Sequence, residues 1–199
     1  GYDPTVNTAD CLDICDYACV GEGDTAILEI ARRLDAHQSL DGVCNLSYRR
    51  GGSTVTIDRA PLVHDLDSLP YPAWDLFPLE EIYFKNSEVL YSEEGMLARR
   101  RIDINASYGC SLVCRYCYHL GIAGDMRYED DGKGNTIVAF DKPGAYTRTI
   151  RYHSPEYIVR MVKHVRDKYN VDFIGFLDEN LMTMDQYSGR AWLKEICRL

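Results

Sequence analysis

The 199-residue sequence has no apolar run long enough to span a bilayer. Its first residues also lack the charged start and apolar stretch of a secretory signal. A cytoplasmic chain without a membrane span is therefore expected. Positive charge is scarce: 22 Lys and Arg stand against 31 Asp and Glu, a formal net charge of −9. Such a balance gives little attraction for phosphate, so no nucleic-acid partner is expected. The one basic run, Arg99-Arg100-Arg101, is too short to reverse this and reads as the solvated start of a strand.

Cysteine, by contrast, is plentiful, with eight residues. A chain this long, 46% hydrophobic, has no need of a disulfide scaffold, so thiols in a reducing compartment are expected. Three lie together in Cys110-Ser-Leu-Val-Cys114-Arg-Tyr116-Cys117, a C-x3-C-x2-C spacing. Thiolates this close can converge on one metal centre. Four-iron clusters usually take four cysteines, so a set of three leaves one iron open to a substrate or cofactor. Zinc is the alternative, held by Cys110, Cys114, Cys117 and His119. Structural zinc sites usually use two separated ligand pairs, whereas these four fall within ten residues. A second triplet, Cys11, Cys15 and Cys19, straddles a helix-to-strand change that should part its sulfurs. These three, with Cys44 and Cys197, read as small core residues.

Local patterns supply the frame. Asp16 to Val20 reads as a short strand running into Gly21-Glu22-Gly23-Asp24, and Thr25 to Ala36 as an amphipathic helix with Ile27, Ile30, Ala31 and Leu34 on one face. Glycines between strand and helix permit a tight turn whose helix N-terminus can face an anion. Val43–Tyr48 and Thr54–Ile57 flank Gly51-Gly52, the pattern of a hairpin. Four prolines, at 61, 70, 72 and 78, then break regular structure before a short helix near Leu79–Lys85, with Trp74 as a buried staple. Ile102, Ile104 and Ala106 alternate in a strand leading to Cys110, and residues 125–149 read as a polar insertion with a small hairpin. Ser154-Pro155-Glu156 begins a helix. Val171–Leu177 is a second buried strand ending in Asp178-Glu179-Asn180, and Asp185–Leu199 reads as one more helix. Strand–helix–strand order implies parallel pairing. Polar residues at a barrel strand's end often contact cofactor or substrate, although Asp178, Glu179 and Asn180 could equally cap the next turn.

The C-x3-C-x-aromatic-C run, with Tyr116 as the aromatic, resembles the signature of radical S-adenosylmethionine enzymes. The resemblance implies a [4Fe-4S] cluster on Cys110, Cys114 and Cys117, with S-adenosylmethionine chelating the fourth iron and Tyr116 near its adenine. It implies cleavage to a 5'-deoxyadenosyl radical, with electrons from an external donor such as flavodoxin or ferredoxin. Val20-Gly21-Glu22-Gly23-Asp24 and Leu66-Asp-Ser-Leu-Pro-Tyr-Pro-Ala-Trp-Asp75 are similar to segments of the cobalamin-binding group of that family. There Gly21, Glu22 and Gly23 would lie near cobalamin, and residues 66–75 would join two domains. The implied fold is α/β: residues 1–42 as the tail of a Rossmann-like cobalamin domain, 43–98 as a hairpin and proline-rich linker, and 99–199 as the first part of a (β/α)6 barrel. The implied activity is methyl transfer or radical cyclisation by a longer enzyme of which this chain is a fragment. No Asp-x-His-x-x-Gly cobalt-ligand motif is present, and His37 reads as polar surface.

Overall fold

The computed structural model describes residues 1–85, 100–110, 112, 114, 117–118, 122, 126–133, 136–140 and 150–199. They form a mixed α/β structure of four small sheets, with no closed barrel among them. No helix of the described residues is long and apolar enough to cross a membrane. The chain divides into two compact units: Gly1–Val63 with Gly109–Thr149, and His64–Tyr108 with Ile150–Leu199.

The first unit opens with two short helices, α1 (Tyr2–Val6) and α2 (Thr8–Cys11), then β1 (Tyr17–Cys19) and α3 (Asp24–Asp35). The hairpin is as expected: β2 (Leu46–Arg50) pairs antiparallel with β3 (Ser53–Thr56). Gly51 and Gly52 both take positive φ, 57° and 83°, as a two-residue turn of this hand requires. β1 pairs antiparallel with β2, Ala18 opposite Ser47. The first strand of the chain is thus an edge partner of the hairpin and shows no parallel pairing of the Rossmann kind. Leu40, Val43 and Leu46 form a small core, with Ile30 and Cys19 packed against it. α3 departs from its expected burial. Ala26 is buried, but Ile27, Leu28 and Leu34 are more than half or half exposed, at 63%, 50% and 56%. The hairpin expected within residues 125–149 is present as β6 (Met126–Asp130) against β7 (Thr136–Phe140).

In the second unit β4 (Arg101–Ile104) and β9 (Phe173–Phe176) pair in parallel, Ile102 opposite Ile174. The parallel pairing expected from the order of elements is therefore found. β5 (Ser107–Tyr108) pairs antiparallel with β8 (Arg151–Tyr152). α4 (Pro155–Tyr169) begins as read: Ser154 Oγ accepts from the Tyr157 N–H at 3.1 Å, Pro155 takes the first turn, and Asn170 ends the helix at φ 51°. Tyr157, Ile158, Met161 and Val165 face inward from α4 and meet Ile102, Ile104, Ala106 and Trp192 in one core. Each such burial contributes about 1.5–3 kcal/mol for a full aliphatic side chain. Trp74 is buried there as expected, edge-on to Tyr169. The short helix near Leu79 is a π-helical turn, Leu79–Phe84.

Two further expectations need correction. The C-terminal helix is two helices, α5 (Leu181–Tyr187) and α6 (Trp192–Arg198). Gly189 and Arg190 between them take positive φ, and Ser188 Oγ accepts the Trp192 N–H at 3.1 Å, which starts the second helix afresh. Arg100 and Arg101 do lead into a strand, β4, but their side chains are engaged by the fold and not simply solvated. Arg100 pairs with Glu80, donates to the Tyr169 and Asn170 carbonyls, and lies 4.1 Å over the Phe84 ring. Arg101 pairs with Asp103 at 2.5 Å on the face of β4 opposite the core. A side chain at Gly175, across the strand pair, would collide with both. Arg99 lies outside the described residues.

Candidate functional site

The cysteine loop follows β5 directly. Gly109 turns at φ 101°, and Cys110 is buried, 4% exposed. The Leu112 N–H donates to Cys110 Sγ at 3.4 Å, a bond of the kind that tunes thiolates bound to iron. Cys114 and Cys117 are half-buried, and the Cys117 N–H donates to the Cys114 carbonyl at 3.1 Å, closing the C-x2-C half into a turn. Among the described residues no three His, Cys, Asp or Glu side chains gather closely enough to hold a metal ion. The donor chemistry nevertheless suits an iron–sulfur cluster: three thiols within eight residues, one of them already accepting a backbone N–H. Tyr116 and His119 lie outside the described residues. Beyond Cys117, Tyr118 helps line a cleft of about 280 Å³ with Tyr2, Asp3, Val6 and Asn7.

The second thiol triplet is not gathered either, and of its residues Cys19 alone packs against a core, while Cys11 and Cys15 are not the core residues expected. Cys15 is exposed, and Cys11 and Cys19 are half-buried. Cys15 donates to the Cys11 carbonyl at 2.8 Å, and Cys11 lies 3.4 Å from Asp3 Oδ2. Burial, and then the Asp3 carboxylate, push the Cys11 thiol up. Cys44 and Cys197 are exposed as well, because Cys44 sits on a turn and Cys197 on the outer side of α6.

Gly21-Glu22-Gly23 joins β1 to α3 as expected, with Gly21 at φ 84°. Its polar groups are largely committed within the fold. The Gly21 N–H donates to Thr5 Oγ1 at 2.8 Å. Buried Asn45 donates its amide to the Val20 carbonyl at 3.0 Å and the Glu22 carbonyl at 2.9 Å, and accepts the Ala60 N–H at 2.6 Å. The cleft beside the turn, lined by Glu22, Asp24, Thr25 and Asn45, holds about 10 Å³, room for about one water. These residues alone do not fit a corrin.

Asp178, Glu179 and Asn180 follow β9 but divide in environment. The Leu177 N–H bonds the Ile104 carbonyl at 2.9 Å and extends the parallel ladder. Asp178 then turns inward. Its two oxygens lie 3.1 and 3.2 Å from the Ala106 nitrogen, and Ser107 Oγ donates at 2.5 Å. Burial pushes this carboxyl up, against the pull of those hydrogen bonds. Glu179 is exposed and Asn180 half-buried.

Sequence reasoning missed a pair in the same unit. His153 is buried, with Nδ1 3.0 Å from Asp67 Oδ1, and it stacks on Tyr157 at 4.2 Å. The Ser154 N–H reaches the same oxygen, and Trp192 Nε1 donates to the His153 carbonyl at 2.8 Å. Burial lowers the His153 pKa despite Asp67. Burial would raise Asp67, but hydrogen bonds from Ser154 and His153 outweigh it and hold that carboxyl low. Their separation of 86 residues left no local signal.

No family model matches the chain, and no solved structure matches it. Curated proteins do. The chain is 23% identical over 178 residues to an uncharacterized methyltransferase of Pyrococcus horikoshii, covering 89% of this chain and 31% of that protein. It is 27% identical over 118 residues to the anaerobic magnesium-protoporphyrin IX monomethyl ester cyclase of Synechocystis, covering 59% and 21%. It is 23% identical over 194 residues to cytidylyl-2-hydroxyethylphosphonate methyltransferase of Streptomyces wedmorensis, covering 86% and 32%. The chain thus spans about a third or less of the relatives it matches. All three carry enzyme names, two of them for methyl transfer, and the similarities support an enzyme of that general kind.

Proposed function

We propose that the chain is part of a radical S-adenosylmethionine enzyme, with Cys110, Cys114 and Cys117 holding a [4Fe-4S] cluster. The observation that carries this reading is the compact C-x3-C-x2-C loop that follows the β4–β5 segment, with one sulfur already accepting a backbone N–H. When bound, cluster and S-adenosylmethionine would together supply one-electron cleavage of the cofactor and the hydrogen abstraction that follows. The chain's own residues would do three things. The cysteines would hold three irons and leave the fourth open. The Leu112 N–H would moderate the charge on Cys110. Tyr116, Glu179 and Asn180 would contact the adenosyl and methionine parts. Electrons would come from a flavodoxin- or ferredoxin-like donor. The methyltransferases and the cyclase among the relatives point to methyl transfer or radical cyclisation for the whole protein. Cobalamin enters only through Gly21, Glu22 and Gly23, and a corrin would need surface that these residues do not supply.

Anaerobic reconstitution tests the reading. Wild-type chain is expected to take up about four irons with matching sulfide. Cys114→Ala should lose them, and S-adenosylmethionine should change the electron paramagnetic resonance of the reduced cluster. Zinc bound in place of iron would favour a structural site on Cys110, Cys114, Cys117 and His119. Full iron in the Cys114→Ala chain would remove the assignment. Hydroxocobalamin titrated into the same chain is expected to remain unbound.

A further inference from the structure

The run Asp178-Glu179-Asn180 ends a parallel strand, where contact with a bound cofactor is the ordinary expectation. Its first carboxylate is already occupied. Both oxygens of Asp178 lie against the Ala106 N–H, and one also takes the Ser107 hydroxyl. Ala106 is 0% and Ser107 1% exposed, so neither donor has water as an alternative. From the other side the His153 N–H donates to the Ala106 carbonyl at 2.9 Å, and Ser107 pairs with Tyr152. Ala106 is therefore gripped at its N–H by the end of β9 and at its carbonyl by the residue after β8. Tyr108, Gly109 and Cys110 follow in sequence.

We propose that Asp178 is a positioning residue and not a cofactor ligand: its carboxylate fixes Ala106 and Ser107, and through them the point at which the backbone enters the cysteine loop. This role presupposes the radical S-adenosylmethionine reading. A cofactor group that drew Asp178 out of this pose would strip two buried donors of their acceptor, an arrangement folded proteins avoid. Glu179 and Asn180, which follow it in the chain, are the residues proposed above for that contact. Among the described residues Asp178 touches none of the cysteines, so its effect on them would run through the backbone of residues 106–110, in the manner of an outer partner that orients ligands it does not replace.

The test compares anaerobically reconstituted wild type with Asp178→Ala, Asp178→Asn, Ser107→Ala, Glu179→Gln and the Ser107→Ala/Asp178→Ala double variant. Iron affinity, the resonance spectrum of the reduced cluster with and without S-adenosylmethionine, and far-ultraviolet circular dichroism are read for each. Asp178→Ala is expected to weaken iron binding about tenfold, the usual effect of losing an outer partner. Ser107→Ala should weaken it less, and the double variant no more than Asp178→Ala alone, because the two residues act as one unit. Whatever cluster forms should keep its response to S-adenosylmethionine, whereas Glu179→Gln should hold iron and lose affinity for the cofactor. Should Asp178→Ala fail to fold by circular dichroism, Asp178→Asn, which keeps one accepting oxygen, reports instead. Normal iron with a lost cofactor response in the Asp178 variants would make Asp178 a direct ligand and overturn the proposal. Wild-type behaviour in both readouts would overturn it too. If wild-type chain itself takes up no iron, the radical reading falls and the positioning role falls with it.

Discussion

In the second unit twelve buried side chains, from Trp74 to Trp192, form one core, whereas in the first unit the described cluster holds Leu40, Val43 and Leu46. The two long helices make the contrast concrete. α3 and α4 are both amphipathic in sequence, yet α4 buries four side chains and α3 buries Ala26 alone. Periodicity shows that a helix has an apolar stripe but not what covers it. In the first unit polar staples add to a smaller set of buried apolar side chains. Asn45, in the left-handed region at φ 67°, ties the end of β1, the glycine turn and Ala60 together with one side chain. Apolar packing organises one unit, and hydrogen bonding around a turn organises much of the other.

The largest expected effect attacks the packed unit. Trp192→Ala should destabilise it by about 3–5 kcal/mol, because the cavity adds to the lost burial and the His153 carbonyl loses its donor. Urea unfolding followed by tyrosine fluorescence measures this, and a loss below about 1 kcal/mol would break the contrast. Next is Asn45→Ala, expected to cost the first unit about 2–3 kcal/mol by leaving buried backbone groups unpaired. Hydrogen exchange at Val20 to Gly23 and Ala60 should rise in that variant while Ile158 and Val165 stay protected.

A smaller effect depends on pH. His153 titrates lower when folded, because burial outweighs the pull of Asp67, Asp178 and Asp65. The unfolded chain, with a pKa of about 6.5, therefore binds the proton more readily. Stability from His153 is complete above that value and declines as the pH falls below it. Thermal unfolding at pH 7.5 and 5.5 should show the drop, and His153→Gln should flatten it. The raised Asp178 carboxyl acts with the opposite sign, since its folded form holds a proton more readily than its unfolded form. Asp178→Asn should accordingly steepen the drop. The smallest effect is reserved for α3: Leu34→Ser should change stability by less than about 0.5 kcal/mol, since the side chain is 56% exposed. A large loss there would mean that the helix is packed in solution.

What could be read in the chain was local. Gly51-Gly52 between β-prone runs, and Ser154-Pro155-Glu156 before an apolar stripe, each carry their geometry in neighbouring residues. The pairing of β4 with β9 followed from element order. What escaped was set by distant partners. Arg100 reads as surface charge until Glu80 and the Tyr169 carbonyl are beside it. Asp67 sits in a stretch that reads as linker, yet its carboxylate binds the start of α4. Of the candidate site, the thiol spacing was legible because three ligands fall within eight residues. The inward turn of Asp178 was not, because it depends on donors more than seventy positions away.

Gly175 carries a consequence for heredity. Glycine is a poor strand residue, and an isolated one in a strand often marks a close approach of other atoms. Here those atoms belong to Asp103 and Arg101, which occupy the space a side chain would need. The three positions therefore form one unit of variation. In a library of variants selected for folding, a residue other than glycine at 175 should be enriched beside a smaller partner at 103 or a shorter one at 101, since otherwise the Arg101–Asp103 pair must shift to admit it. Descendants of this chain would tend to change Gly175 together with one of its two neighbours.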